Sequence, residues 1–120
     1  MPDKEKLEQA ARRWIEAWNT RDFSAIMSHY AEDIKFRSAA AERRWKGSAG
    51  QLAGKAAVEK HFRRGIEEVP ELRFEFHSIL YAPDTILLLY RRENGRLAAD
   101  SVRFNEAMKV TEVISFRDSL

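Results

Sequence analysis

The chain has 120 residues, 44% of them hydrophobic, and a formal net charge of +2 at pH 7. A chain this long buries on the order of two thirds of its unfolded surface around one core, so the whole span 1–120 reads as a single domain. With no cysteine it has no disulfide, no thiolate nucleophile and no Cys-based zinc site, and its redox setting fits the cytoplasm best.

In chain order, the opening Met1-Pro2-Asp3-Lys4-Glu5-Lys6 is too charged to begin a secretory leader. Asp3 is placed to cap a first helix whose inner stripe is Leu7, Ala10, Ala11, Trp14 and Trp18, ended by Asn19-Thr20-Arg21. Asp22 caps a short second helix with Phe23, Ile26, Met27 and Tyr30 on one face, followed by a strand from Ile34 to Arg37 or Ser38. From Ala39 to Gly54 the glycines at 47, 50 and 54 and Ser48 predict a long loop carrying one large aromatic, Trp45, as a lid or a dimer contact. A third helix then shows the stripe Val58, His61, Phe62, Gly65, Ile66 and Val69, and Pro70 stops it.

The rest predicts an antiparallel meander of four strands, Leu72 to Tyr81, Thr85 to Arg92, Leu97 to Phe104 and Lys109 to Phe116. Asn94-Gly95 between the middle strands predicts a two-residue hairpin with positive φ at both central positions. The longest apolar run, Ile86 to Tyr90, is too short to cross a bilayer, so no membrane partner is expected. Three helices on one face of a curved sheet give an α+β architecture with an apolar hollow suited to a small molecule.

Asp100 carries the most chemistry. Alternation puts Ala98, Asp100, Val102 and Phe104 on one side of their strand, a greasy face interrupted by a single carboxylate. Such a group must gain partners, keep its proton or face a cavity, because burying it bare costs several kcal/mol or more. A carboxyl kept neutral in a dry cavity can donate a hydrogen bond to a developing oxyanion or act as a general acid. The plainer alternative is an acid satisfied by an Arg, a Tyr or Trp14, adding only polarity.

The remaining candidates are weaker. His29, His61 and His77 lack metal spacing, and neither a metal nor a cofactor is implied. Ser38 has no nucleophile-elbow motif around it. Glu112 alternates with Val110, Ile114 and Phe116 on what reads as the outer, dimer side of the sheet, while Arg103 points away from the hollow. Arg pairs at 12/13, 43/44, 63/64 and 91/92 have Glu16, Glu42, Glu67 and Glu93 nearby and read as solvated faces, so no nucleic-acid partner is expected.

The ordered set Trp14-Ile15-Glu16-Ala17-Trp18-Asn19-Thr20-Arg21-Asp22, Tyr30-Ala31-Glu32-Asp33-Ile34-Lys35-Phe36, Gly54-Lys55-Ala56-Ala57 and Val102-Arg103-Phe104-Asn105 resembles the SnoaL-like, ketosteroid isomerase-like branch of the nuclear transport factor 2 superfamily. The resemblance implies an α+β cone with a deep pocket and a homodimer formed through the outer sheet face. Set beside a ketosteroid isomerase, Asp100 matches the protonated Asp of the oxyanion hole, the Tyr of that hole falls at Trp14, and the catalytic base falls at Ser38. The Arg that superfamily epoxide hydrolases place two residues before the strand Asp falls at Ala98. Neither reaction has its full set of groups, since Ser38 is no carboxylate base and Trp14 offers an N–H without an acidic hydroxyl.

The expected partner is therefore a small apolar or carbonyl-containing molecule. The expected lining is Trp14, Trp18, Tyr30, Phe36, Ser38, Phe62, Ile66, Phe74, Phe76 and Val102 around Asp100. Two alternatives stay open: an isomerase, cyclase or dehydratase using Asp100 as acid or oxyanion donor, and a dimeric interaction module with a filled cone. The turn at Ala107-Met108, where relatives usually have Gly, is expected to be rearranged, because positive φ tolerates Met poorly.

Overall fold

The computed structural model describes residues 2–119. Its elements are α1 (Lys4–Asn19), α2 (Phe23–Ser28), β1 (Tyr30–Arg37), α3 (Ala39–Arg44), β2 (Gln51–Ala53), α4 (Lys55–Glu68), β3 (Glu75–Ala82), β4 (Thr85–Arg91), β5 (Leu97–Phe104) and β6 (Val110–Arg117). One six-stranded sheet in the order β2-β1-β6-β5-β4-β3 carries the helices on its inner face. All neighbours are antiparallel except β1 and β6, which run parallel. Register breaks in β1–β6, β3–β4 and β5–β6 let the sheet curl into an open cone, since an extra residue on one strand bends it and increases its twist. Among the described residues, no helix is long and apolar enough to cross a membrane.

The caps work as the sequence predicts. Asp3 accepts from the Lys6 N–H at 2.9 Å and Asp22 from the Ala25 N–H at 3.1 Å, each satisfying a donor with no partner inside its helix. The end of α1 is tied to the chain before β3. Asn19 donates through Nδ2 to the Phe74 carbonyl and accepts the Phe74 N–H through Oδ1, both at 2.7 Å. Arg21, at φ +56°, reaches the carbonyls of Pro70 and Leu72. Two backbone groups of an irregular segment are thereby paired, and Phe74 is held against Trp14.

The segment 39–54 departs from the predicted loop. Ser38 caps a helix, accepting the Ala41 N–H at 3.0 Å, and Ala39-Ala40-Ala41-Glu42 supplies good helix formers. Gln51–Ala53 then pairs with β1 as the edge strand. Trp45 packs partly buried against the core. Its ring lies beneath the Lys60 ammonium at 5.4 Å, and its N–H donates to His61. Among the described residues there are thus four helices, and β1 begins four residues before its predicted start because its first residue, Tyr30, pairs with Val110. β3 begins at Glu75 rather than Leu72, since residues 70–74 serve the latch to α1.

Three turns refine the picture. The β4–β5 connection is a three-residue loop in which Gly95 alone has positive φ, at +79°, closed by bonds from Arg92 N–H to Arg96 O and from Gly95 N–H to Arg92 O. A glycine bulge has replaced the two-residue turn. The β5–β6 turn is not rearranged: Met108 adopts φ +62° and donates its N–H to Asn105 O at 3.0 Å. The register break between Arg103 and Phe104 also turns Val110 inward, 4% exposed, together with Val113. Val110 therefore belongs to the core, while Glu112, Ile114 and Phe116 keep the outer side.

Candidate functional site

Between α1, α3, α4 and the inner face of the sheet lies a cavity of about 760 Å³. Its depth is aromatic. Trp14 stacks on Phe74 at 5.6 Å, Phe74 meets Tyr90 at 4.7 Å, and Trp18 meets Phe62 edge-on at 5.0 Å. Edge-on and offset arrangements of this kind add to the stability from buried area and stiffen the wall. Trp14, Trp18, Phe36, Ser38, Phe62, Phe74 and Asp100 from the sequence-based set line this space. Tyr30 and Val102 line instead a small void of about 20 Å³ beneath it, which Trp14 and Asp100 also touch. Ile66 and Phe76 border neither; both pack partly buried against the core, and the Arg12 guanidinium covers the Phe76 ring at 4.2 Å.

Asp100 sits at the junction of the two spaces, 4% exposed, on the apolar face that alternation assigns to it. Its partners are two hydroxyls. Tyr90 donates to Oδ1 at 3.0 Å from β4, and Ser115 donates to the same oxygen at 2.9 Å from β6. Arg117 backs both donors, its Nη1 lying 2.9 Å from the Ser115 hydroxyl and 3.4 Å from that of Tyr90. Each hydroxyl therefore accepts from the guanidinium and donates to the carboxyl, a relay with one direction.

Burial pushes the Asp100 pKa up, and this outweighs the downward pull of Arg117, Ser115 and Tyr90. Burial followed by the Asp100 charge pushes the Tyr90 hydroxyl up as well, so it remains a donor. Among the described residues no hydrogen bond falls on Asp100 Oδ2. A protonated Asp100 carries its proton there, since Oδ1 already accepts twice.

Trp14 does not bond Asp100. Its N–H donates to the Tyr30 hydroxyl at 2.7 Å, and Tyr30, fully buried, is pushed above the usual phenol range mainly by desolvation. Among the described residues the neighbouring Trp18 N–H is buried without completing a hydrogen bond, although its proximity draws the Tyr30 pKa down somewhat. Ser38 lines the cavity but its hydroxyl is engaged in capping α3.

His61 is buried on the inner stripe of α4 with one ring nitrogen engaged. Its Nδ1 meets Arg44 Nη1 at 2.9 Å and accepts the Trp45 N–H at 3.2 Å, which leaves the ring proton on Nε2. Desolvation, reinforced by Arg44, lowers its pKa to about 4. Arg44 also holds Glu68 at 2.6 Å. His61 is consequently a neutral imidazole at neutral pH, oriented by α3. Among the described residues, no group of three or more His, Asp or Glu side chains is arranged to hold a metal ion.

Sequence reasoning missed Tyr90, Ser115 and Arg117. Tyr90 was readable, since Ile86, Leu88 and Tyr90 alternate onto the inner face. The other two depend on the β5–β6 register, which pairs Asp100 with Ser115 and Ala98 with Arg117.

Comparison with known proteins agrees with this geometry. The model of the SnoaL-like domain matches residues 11–120. A SnoaL-like protein of unknown function from Burkholderia thailandensis is 30% identical, with a TM-score of 0.91 over 98% of each chain. TerC, crystallised with polyporic acid, shares the fold at 15% identity and a TM-score of 0.75, over 92% of this chain and 90% of its own. A nuclear transport factor 2-like protein of unknown function from Burkholderia pseudomallei shares it at 19% identity and a TM-score of 0.72, over 92% and 89%. No curated protein matches the sequence. From the family match and from the cone that the residues build, this chain belongs to the SnoaL-like domain family.

Proposed function

We propose that the protein binds a small carbonyl-containing, largely apolar molecule in the cone, with Asp100 as the polar anchor. The observation that carries this reading is the cavity of about 760 Å³ ending on a buried carboxyl whose Oδ2 has no partner among the described residues. A space of that size suits a drug-sized ligand, and it sets the aromatic rings of Trp14, Trp18, Phe36, Phe62, Phe74 and Tyr90 beside polar and charged groups. TerC, which shares the fold, was crystallised with polyporic acid, which favours a small organic molecule as the ligand class to test here. An interaction module with a filled cone fits this cavity poorly.

A second reading is favoured by the raised Asp100 pKa. A neutral carboxyl can donate to a carbonyl oxygen as negative charge develops on it, which makes an isomerase, cyclase or dehydratase chemically reasonable. Ketosteroid isomerisation by the usual route still lacks its base, because Ser38 is a helix cap. A thermal-shift screen of aromatic ketones, aldehydes and quinones, with product analysis of the same samples, tests both readings. Stabilisation without conversion supports binding, conversion supports the enzyme, and a screen in which nothing shifts contradicts both.

The same proposal includes a homodimer through the outer sheet face. Leu80, Leu97 and Phe116 are 60%, 37% and 48% exposed there, and sedimentation of the purified protein reads the assembly directly.

A further inference from the structure

The mouth of the cavity is chemically unlike its depth. Six arginines line it: Arg43 and Arg44 from α3, Arg64 from α4, Arg92 and Arg96 from the β4–β5 connection, and Arg117 from β6, which also reaches inward to the Ser115 and Tyr90 hydroxyls beside Asp100. The acidic side chains around the rim are Glu68 and Asp118. Glu68 is shared between Arg44 at 2.6 Å and Arg64 at 3.5 Å, and Asp118 meets Arg96 at 3.1 Å. Glu93 meets Arg92 at 3.4 Å, and among the described residues both the Arg92 Nε and the Glu93 Oε1 are buried without a hydrogen bond. A chain whose overall charge is only +2 thus concentrates cationic groups at one opening. Clefts lined by one sign of charge on low-dielectric walls focus the field and raise the local concentration of the opposite ion.

We propose that the ligand is an amphipathic anion: an aromatic body seated against Trp14, Trp18, Phe62 and Phe74, with a carboxylate, enolate or phenolate held by the arginines at the mouth. This rests on the cavity being a ligand site and adds the ligand's charge and orientation to that reading. Planar guanidiniums pair two oxygens at once and stack on aromatic rings, so they suit an acid on a flat ring system better than an isolated phosphate ion. The aromatic depth supplies the selectivity against simple anions.

Calorimetry with 2-naphthoate and 2-naphthamide, which share their rings and differ in charge, tests the inference on the intact protein. The carboxylate is expected to bind about tenfold more tightly than the amide, a preference that shrinks as salt is raised. The double substitution Arg43→Gln and Arg92→Gln is expected to lower affinity for naphthoate severalfold while leaving the amide unchanged, so a general loss of folding is excluded within the same experiment. Equal binding of the two compounds overturns the anionic assignment and leaves the cavity reading standing. Binding of neither overturns both.

Discussion

The Tyr90 hydroxyl donates to Asp100 Oδ1 at 3.0 Å from the neighbouring strand, where it is backed by Arg117. That contact fixes which oxygen of Asp100 is occupied, and it ties the buried acid to the rigid middle of the sheet. Asp100→Asn should keep both accepted hydrogen bonds through the amide oxygen and remove the ionisable group. The sign follows from the raised pKa. Its stabilising contribution is fully present below the ordinary aspartate value of 3.8 and is lost as pH rises through the higher folded-state value. Melting curves at pH 8 should therefore show Asp100→Asn at or above the native protein, with the advantage shrinking towards pH 4. A variant several degrees less stable at pH 8 would mean that the ionised carboxylate is well solvated. Asp100→Ala, which strands two hydroxyls, should cost about 1–3 kcal/mol near pH 4 and less at pH 8, where the native protein has lost the contribution of its protonated carboxyl.

His61 gives the opposite dependence. Its folded pKa, lowered to about 4 from 6.5, means the unfolded chain binds the extra proton first. The stability it contributes is present above pH 6.5 and is lost progressively as pH falls towards 4. After allowing for screening near the rim, the loss should reach about 1 kcal/mol by pH 5. Denaturant midpoints for the native protein and His61→Gln at pH 7.5 and pH 5 isolate this from the parallel contribution of His29, whose pKa is also lowered. Identical pH slopes in the two proteins would contradict the Trp45 and Arg44 geometry around Nδ1.

The partly buried Asn19 latch should contribute measurably to stability. Asn19→Ala leaves the N–H and carbonyl of Phe74 without their partner, an expected cost of about 2 kcal/mol. Because Phe74 stacks on Trp14, the same substitution should also weaken binding of any cavity ligand. Hydrogen exchange at the Phe74 amide is the direct readout, and unchanged protection there would contradict the latch.

Backbone strain supplies a prediction of unusual sign. Ala49 is held at φ +56° in an exposed bend just before Gly50, a region that L-residues enter at a cost of about 1–2 kcal/mol. Ala49→Gly should stabilise the protein by about 0.5–1 kcal/mol after the entropy of glycine is set against the strain, whereas glycine at most other positions destabilises. Equilibrium unfolding in urea measures the difference, and a loss of stability would place the strain elsewhere.

What the sequence made legible was local and periodic. The caps at Asp3 and Asp22, the stripe of α4 and the inward face of Asp100 each follow from one segment read alone. The partners of Asp100 come from strands ten and fifteen residues away, and only register brings them together. The cationic mouth was hidden for the same reason. Arg44, Arg64 and Arg92 each belong to a pair that reads as a solvated face, and the fold gathers one side of several elements around a single opening. Helix α3 was legible in its Ser cap and alanines, but the glycines that follow drew the whole segment into a loop.

In this reading a ligand in the cone meets a buried Asp100 carboxyl that desolvation holds above the ordinary aspartate range. Carbon-13 NMR of the Asp100 carboxyl, followed across pH with and without a stabilising compound from the thermal-shift screen, tests it most directly. The account predicts titration above the ordinary value of 3.8 in the free protein and a further upward shift when the compound binds. A carboxyl that titrates at or below 3.8, unmoved by a compound that binds, would contradict it.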